Sequence, residues 1–159
     1  MDIAEKNLGR GTPIIGALWE LKKKINDQNL ERIKTIIDTQ GWPKRSIVKG
    51  SAAGTVFLIV QHSDIETQKK YLPIMKEAAN NGEASWSSLA LLIDRVNLRE
   101  GKKQVYGSQI YREKEGGFYV KDLKEPEYVN QRRKEVGLGP IEDYVGRWGI
   151  EWTVEQKEK

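Results

Sequence analysis

The only histidine of this 159-residue chain, His62, stands in "FLIVQHSD", residues 57–64, where an apolar run gives way to Gln61, His62 and Asp64 within four positions. Imidazole titrates near neutral pH, so His62 can act as a general acid or base, with a neighbouring carboxylate to orient it. The bland alternative is a helix junction. Ser63 with Glu66 three residues later reads as a capping box, which makes Ser63 and Asp64 helix-start residues and His62 a rim filler. On that reading His62 lies beside the positive end of a helix dipole, which favours the neutral ring.

Two further clusters are of the same kind. Asp94 and Arg95 interrupt the otherwise apolar "LALLIDRVNL". A buried unpaired charge costs several kcal/mol, so they form either an internal ion pair or an arginine offered to an anionic or carboxamide ligand. In "GKKQVYGSQ", strand alternation would put Gln104, Tyr106 and Ser108 on one face and Gln109 on the other, unless Gly107 introduces a bulge. Carboxamides and a phenol suit a polar ligand, and they are also ordinary strand residues. A metal site from His62, Asp64 and Asp94 is a third reading, against which one histidine and no cysteine deplete the usual ligand set.

The elements that must position these groups follow from periodicity. Residues 14–25 and 30–40 have helical spacing, with Asp27 to Asn29 as caps between them and Gly41 as a stop, and so predict a helical hairpin. Pro43 holds Trp42 out of helical geometry, and Trp42 is expected to anchor the turn. "SAAGTVFLIVQH" fits a buried helix or strand; Ser51 as a cap and two alanines favour the helix. A helix from Ser63 to the "NNG" stop contains Pro73, which should kink or split it. Ser85 caps another, with Trp86, Leu89, Leu92 and Ile93 expected in a core shared with Leu58 and Leu72. Val105 to Val120 around Gly116–Gly117 signal a β-hairpin, two short helices follow, and residues 153–159 are expected to fray. The expectation is a mainly α single domain over 1–159, with one hairpin at about 104–121.

Composition narrows function by exclusion. No cysteine means no disulfide, no thiolate chemistry and no cysteine-based metal site. No apolar run approaches the length that crosses a bilayer, and the N-terminus does not read as a signal peptide, so the expected place is the cytoplasm. A net charge of +4 is a mild bias without the stripe or motif of a nucleic-acid binder.

In order and spacing, "GWPKRS", "FLIVQHSD", "YLPIMKEAANNGE", "LALLIDRV", "GKKQVYGSQ" and "NQRRKEVGLGPIEDY" resemble an uncharacterised bacterial domain family of unknown function. Its marks are Gln-His-Ala/Ser-Asp, Asp-Arg and Gln-x-Tyr-Gly-Thr/Ser-Gln, over roughly residues 27–152; residues 1–26 are less like it. The resemblance implies that Gln61, His62, Asp64, Asp94, Arg95, Gln104, Tyr106, Gly107 and Gln109 are signature positions sharing one cleft, and it brings no activity with it. The first expectation is a metal-independent, cofactor-free hydrolase or transferase in which His62 is acid or base, Asp64 or Asp94 orients it and Arg95 holds a negative group. Gln61, Gln68, Gln104, Tyr106 and Gln109 would position a polar substrate. The alternative is a non-catalytic module for a polar small molecule or peptide, or an effector or immunity-type protein of a bacterial conflict system.

Overall fold

Thr12 and Gly41 bound the first element. In the computed structural model, which describes residues 12–48 and 50–158, helix α1 runs Pro13–Gln40. Thr12 Oγ1 accepts from the Ile15 amide at 3.4 Å, and Gly41, at φ 76°, donates to the Ile37 carbonyl. The two helices expected here are one. Asp27, Gln28 and Asn29 favour caps, but with no glycine or proline among them nothing compels the helix to stop. The chain divides into two compact units, residues 1–41 and 42–159; α1 belongs to the first and everything below to the second.

Trp42 is buried, as an anchor should be, and leads to α2 (Gly50–Gln61), α3 (Ile65–Asn80) and α4 (Trp86–Arg99). The ambiguous apolar segment is thus a helix, with Ser51 inside its first turn rather than at its cap. The cap of α3 is Asp64, one residue later than expected. Its carboxylate accepts from both the Thr67 amide and the Thr67 hydroxyl at 2.8 Å, and it brings negative charge to the helix start, as a serine cannot. Ser63 instead donates back to the Val60 carbonyl at 2.7 Å. Pro73 lies within α3 without dividing it. Ser85 caps α4 as expected, accepting from the Ser88 amide.

Helices α3 and α4 pack most extensively on each other, with α2 against both. Val60, Tyr71, Met75, Leu89 and Leu92 are at most 1% exposed and form the centre of this core. Leu72 and Ile93 are half-buried. Leu58 and Trp86, expected in the core, are exposed at 53% and 38%. Val56, Phe57, Val60 and Gln61 define the inward arc of α2 and leave Leu58 outside it, whereas Trp86 begins its helix at the core's edge.

The hairpin is present but shorter than predicted. Strands β1 (Ile110–Arg112) and β2 (Phe118–Val120) pair antiparallel with Tyr111 opposite Tyr119, and Gly116 and Gly117 turn the chain at φ 101° and 88°. A 3-10 turn (Pro126–Tyr128) and helices α5 (Val129–Glu135) and α6 (Ile141–Gly146) follow. Val129, Ile141 and Val145 form a second apolar cluster, with Ile110, Val120 and Leu123 against it. The terminal segment expected to fray is tied here: Gln156 accepts from the Asn130 amide at 3.1 Å, and the Lys157 amide donates to the Glu127 carbonyl at 2.7 Å. No helix among the described residues is long and apolar enough to cross a membrane.

Leu89 sits at the centre of the first core, so Leu89→Ala should cost about 2–5 kcal/mol in urea denaturation. Leu58→Ala, at an exposed site, should leave the midpoint near wild type.

Candidate functional site

The site begins with a carboxylate that is not available for chemistry. Asp94, fully buried on α4, accepts three backbone amides: Val105 at 2.7 Å and Tyr106 at 3.0 Å on Oδ1, and Ser108 at 2.9 Å on Oδ2. Burial pushes its carboxyl above the ordinary range, and the same amides oppose that shift. Residues 105–109 therefore curl around Asp94 instead of forming the predicted strand. Gly107 makes the curl possible: it sits at φ 65°, and a Cβ there would lie 2.9 Å from Ile141 Cδ1.

The loop's carbonyls are held from the other side by α5. Arg132 Nε donates to the Val105 carbonyl at 2.8 Å, and Arg133 Nη1 donates to that of Tyr106 at 2.8 Å. Gln104, fully buried, closes the frame. Its amide nitrogen donates to the Gln109 and Lys121 carbonyls, and its oxygen accepts from the Gln109 amide. Asp94, Gln104 and Tyr106 thus shape the site without lining its cleft.

One turn of α4 meets the carbonyl end of α2. Arg95 Nη1 donates to the Gln61 carbonyl at 3.0 Å, Arg99 Nη1 donates to that of Ser63 at 2.9 Å, and Gln68 Nε2 donates to both. These are groups that a helix C-terminus leaves unpaired, and cations there meet the negative end of the dipole. Gln68, a predicted substrate contact, is a clamp between α2 and α3. Asp64, the predicted orienting carboxylate, is the cap of α3.

Between α2, α4, the curled loop and α6 lies a cleft of about 290 Å³. Its polar lining is Gln61, His62, Arg95, Ser108, Gln109 and Tyr144. Phe57, Leu58, Leu91, Ile110 and Trp148 make the apolar wall. Of the predicted site residues, Gln61, His62, Arg95 and Gln109 come together here. Arg95 Nε donates to Gln109 Oε1 at 3.0 Å, and the Tyr144 hydroxyl donates to the Ser108 carbonyl at 2.7 Å. Tyr144 and Trp148 went unread in the sequence; Tyr144 lies on α6 and Trp148 in the turn that follows it.

His62 follows the last residue of α2, and its imidazole makes no hydrogen bond among the described residues. Burial, then the Arg95 and Arg99 guanidiniums, hold its pKa below the ordinary value. The direction matches the expectation, but the causes are burial first and these cations second, not the dipole of the following helix. Gln61, 4% exposed, donates to the Leu91 carbonyl over a long 3.4 Å, and its Oε1 has no partner among the described residues. No group of three potential metal-ligating side chains occurs among the described residues.

Asp94→Asn presents an amide donor where backbone donors converge, and should cost about 1–3 kcal/mol in urea denaturation. For His62 the sign follows from its lowered folded-state pKa. Above the unfolded value of about 6.5 both states are neutral. As pH falls through the folded-state value, the unfolded chain binds the proton first and stability is lost. Between pH 7 and 5 the wild-type midpoint should therefore fall more steeply than that of His62→Gln.

No curated protein and no solved structure matches the chain. A family model does match, over residues 11–153, and its description is that of a family of unknown function. With nine-tenths of its length inside that match, the chain belongs to the DUF6624 family.

Proposed function

We propose that residues 42–159 carry a recognition site for a polar small molecule or the polar end of a peptide, seated in the cleft beside Arg95. One observation carries this reading. Arg95 is anchored through Nε and Nη1, while Nη2 makes no hydrogen bond among the described residues and the side chain lines the cleft. A guanidinium fixed at two nitrogens and unspent at the third is a preorganised donor, which lowers the ordering cost of binding. Gln109, held by Arg95 and by Ser108 Oγ at 3.1 Å, forms a rigid neighbour.

A hydrolase or transferase with His62 as general base is the second reading, favoured by its depressed pKa and its place in the lining. Recognition is preferred because Asp64 and Asp94 are both engaged elsewhere. Neither of these two carboxylates is left to orient the ring, and donors fixed in this way suit recognition.

Thermal-shift screening of polar metabolites and short peptides, with each hit followed by NMR for turnover, separates the two. Recognition predicts hits that raise the melting temperature and remain chemically unchanged. Arg95→Lys, which keeps charge but loses the planar fork, should weaken them at least tenfold, and His62→Gln, which keeps an N–H donor at that position, should weaken them less while leaving them chemically unchanged. Product formation that drops roughly 10²–10⁴-fold in His62→Gln would establish the enzyme instead.

A further inference from the structure

We infer that the ligand of this cleft is a small organic carboxylate with an apolar body about the size of one amino-acid side chain, the carboxylate meeting Arg95 and His62. The inference rests on the recognition reading and names the chemistry that would fill the same site.

Charge is the first ground. The lining holds one permanent cation, Arg95, and no carboxylate, and Arg99 lies behind it on the same helix. Neither arginine forms an ion pair with a carboxylate among the described residues. The partners of Arg95 are a helix-end carbonyl and a carboxamide, which leave its full charge without an ionic partner, so an anion at its unspent nitrogen is favoured.

Donor count decides which anion. Tyr144 has given its hydrogen to the Ser108 carbonyl, Gln109 Nε2 serves Ser108 Oγ and the Leu91 carbonyl, and Gln61 Nε2, on a buried residue, keeps one of its two hydrogens on the Leu91 carbonyl. Arg95 Nη2 remains as a wholly unspent donor nitrogen of the lining, and the exposed His62 adds one imidazole N–H at its edge. Two donor groups suit the two oxygens of a carboxylate, whereas a phosphate brings a third oxygen and a second charge that one guanidinium does not match.

Size and polarity decide the rest. A cleft of about 290 Å³ is at the lower bound for ligand sites, and Phe57, Leu91, Ile110 and Trp148 supply a wall for an apolar group. Free carboxylic acids and the C-terminal residue of a peptide share this chemistry.

The test is NMR and calorimetric titration of the full chain with phenylacetate, isovalerate, N-acetyl-leucine, a tripeptide ending in leucine, phenylacetamide, phenyl phosphate and acetate. At least one apolar carboxylate should bind ten times more tightly than acetate, and phenylacetate at least ten times more tightly than phenylacetamide, with shifts at His62 and Trp148. A preference for the tripeptide identifies a peptide end, and equal binding of N-acetyl-leucine identifies a free acid, both within the inference. Arg95→Gln should abolish binding. Should that variant not fold, Trp148→Ala, at the exposed rim, should weaken phenylacetate and leave acetate unchanged. Equal binding of phenylacetamide, tighter binding of phenyl phosphate, or no binding by any carboxylate would overturn the inference. A screening hit of another class would then leave the recognition reading standing.

Discussion

A single buried carboxylate organises the functional half of the second unit. Asp94 is removed from water inside α4 and draws three amides of the following loop onto its two oxygens. Uncompensated burial of that charge would cost far more than one fold of this size can offset, so the loop has little freedom to lie elsewhere. The requirement propagates. Once the amides of Val105, Tyr106 and Ser108 point at Asp94, the carbonyls of Val105 and Tyr106 face outward, and Arg132 and Arg133 collect them. Gly107 is the hinge of this curl, and the Gln109 side chain emerges from it fixed against Arg95.

A complementary arrangement closes the other wall. The carbonyl end of α2 receives Arg95, Arg99 and Gln68, so two cations are drawn to one helix terminus and the next residue, His62, is held in their field. Burial is the first cause of the depressed imidazole pKa, and the way α2 is terminated adds to it through these cations. Perturbed titration need not mean catalysis, because structural charge networks produce it as well. What distinguishes the cleft from the frame is the set of groups left over: Arg95 Nη2, the imidazole and an apolar wall.

Much of the fold was legible in the sequence because caps and stops are local. Thr12 aside, Gly41, the "NNG" stop and the Gly116–Gly117 turn act through their own backbone geometry, Ser85 acts through its hydroxyl on an amide three residues on, and all fall where expected. The errors are of a different kind. The break expected at 27–29 rested on capping residue types, which permit an ending but do not force one. The strand expected at 104–109 rested on alternation, which a buried carboxylate eleven residues upstream overrides. Periodicity cannot register the pull of Asp94 on those amides, since it is a tertiary contact.

The site was legible in the same uneven way. The family resemblance suggests that the three clusters share one cleft, and residue types alone could not divide frame from lining: Gln61, His62, Arg95 and Gln109 line the cleft, whereas Asp94, Gln104 and Tyr106 do not. Asp94, Gln104 and Gln68 have the chemistry of ligand-binding groups and spend all or most of it on backbone; Gln68 leaves only its Oε1 without a partner. Gln61, His62, Arg95 and Gln109 look no different in the sequence, yet they face the cleft. The distinction comes from how each polar atom is satisfied. A side chain whose donors and acceptors are consumed by the main chain can shape a site but contribute little direct recognition. Arg95 does both, because a guanidinium has enough N–H groups to anchor a helix end and a glutamine and still keep one nitrogen unspent. Lysine, with one nitrogen, could not bridge those anchors and present a separate donor, so the position requires arginine for its geometry more than for its charge.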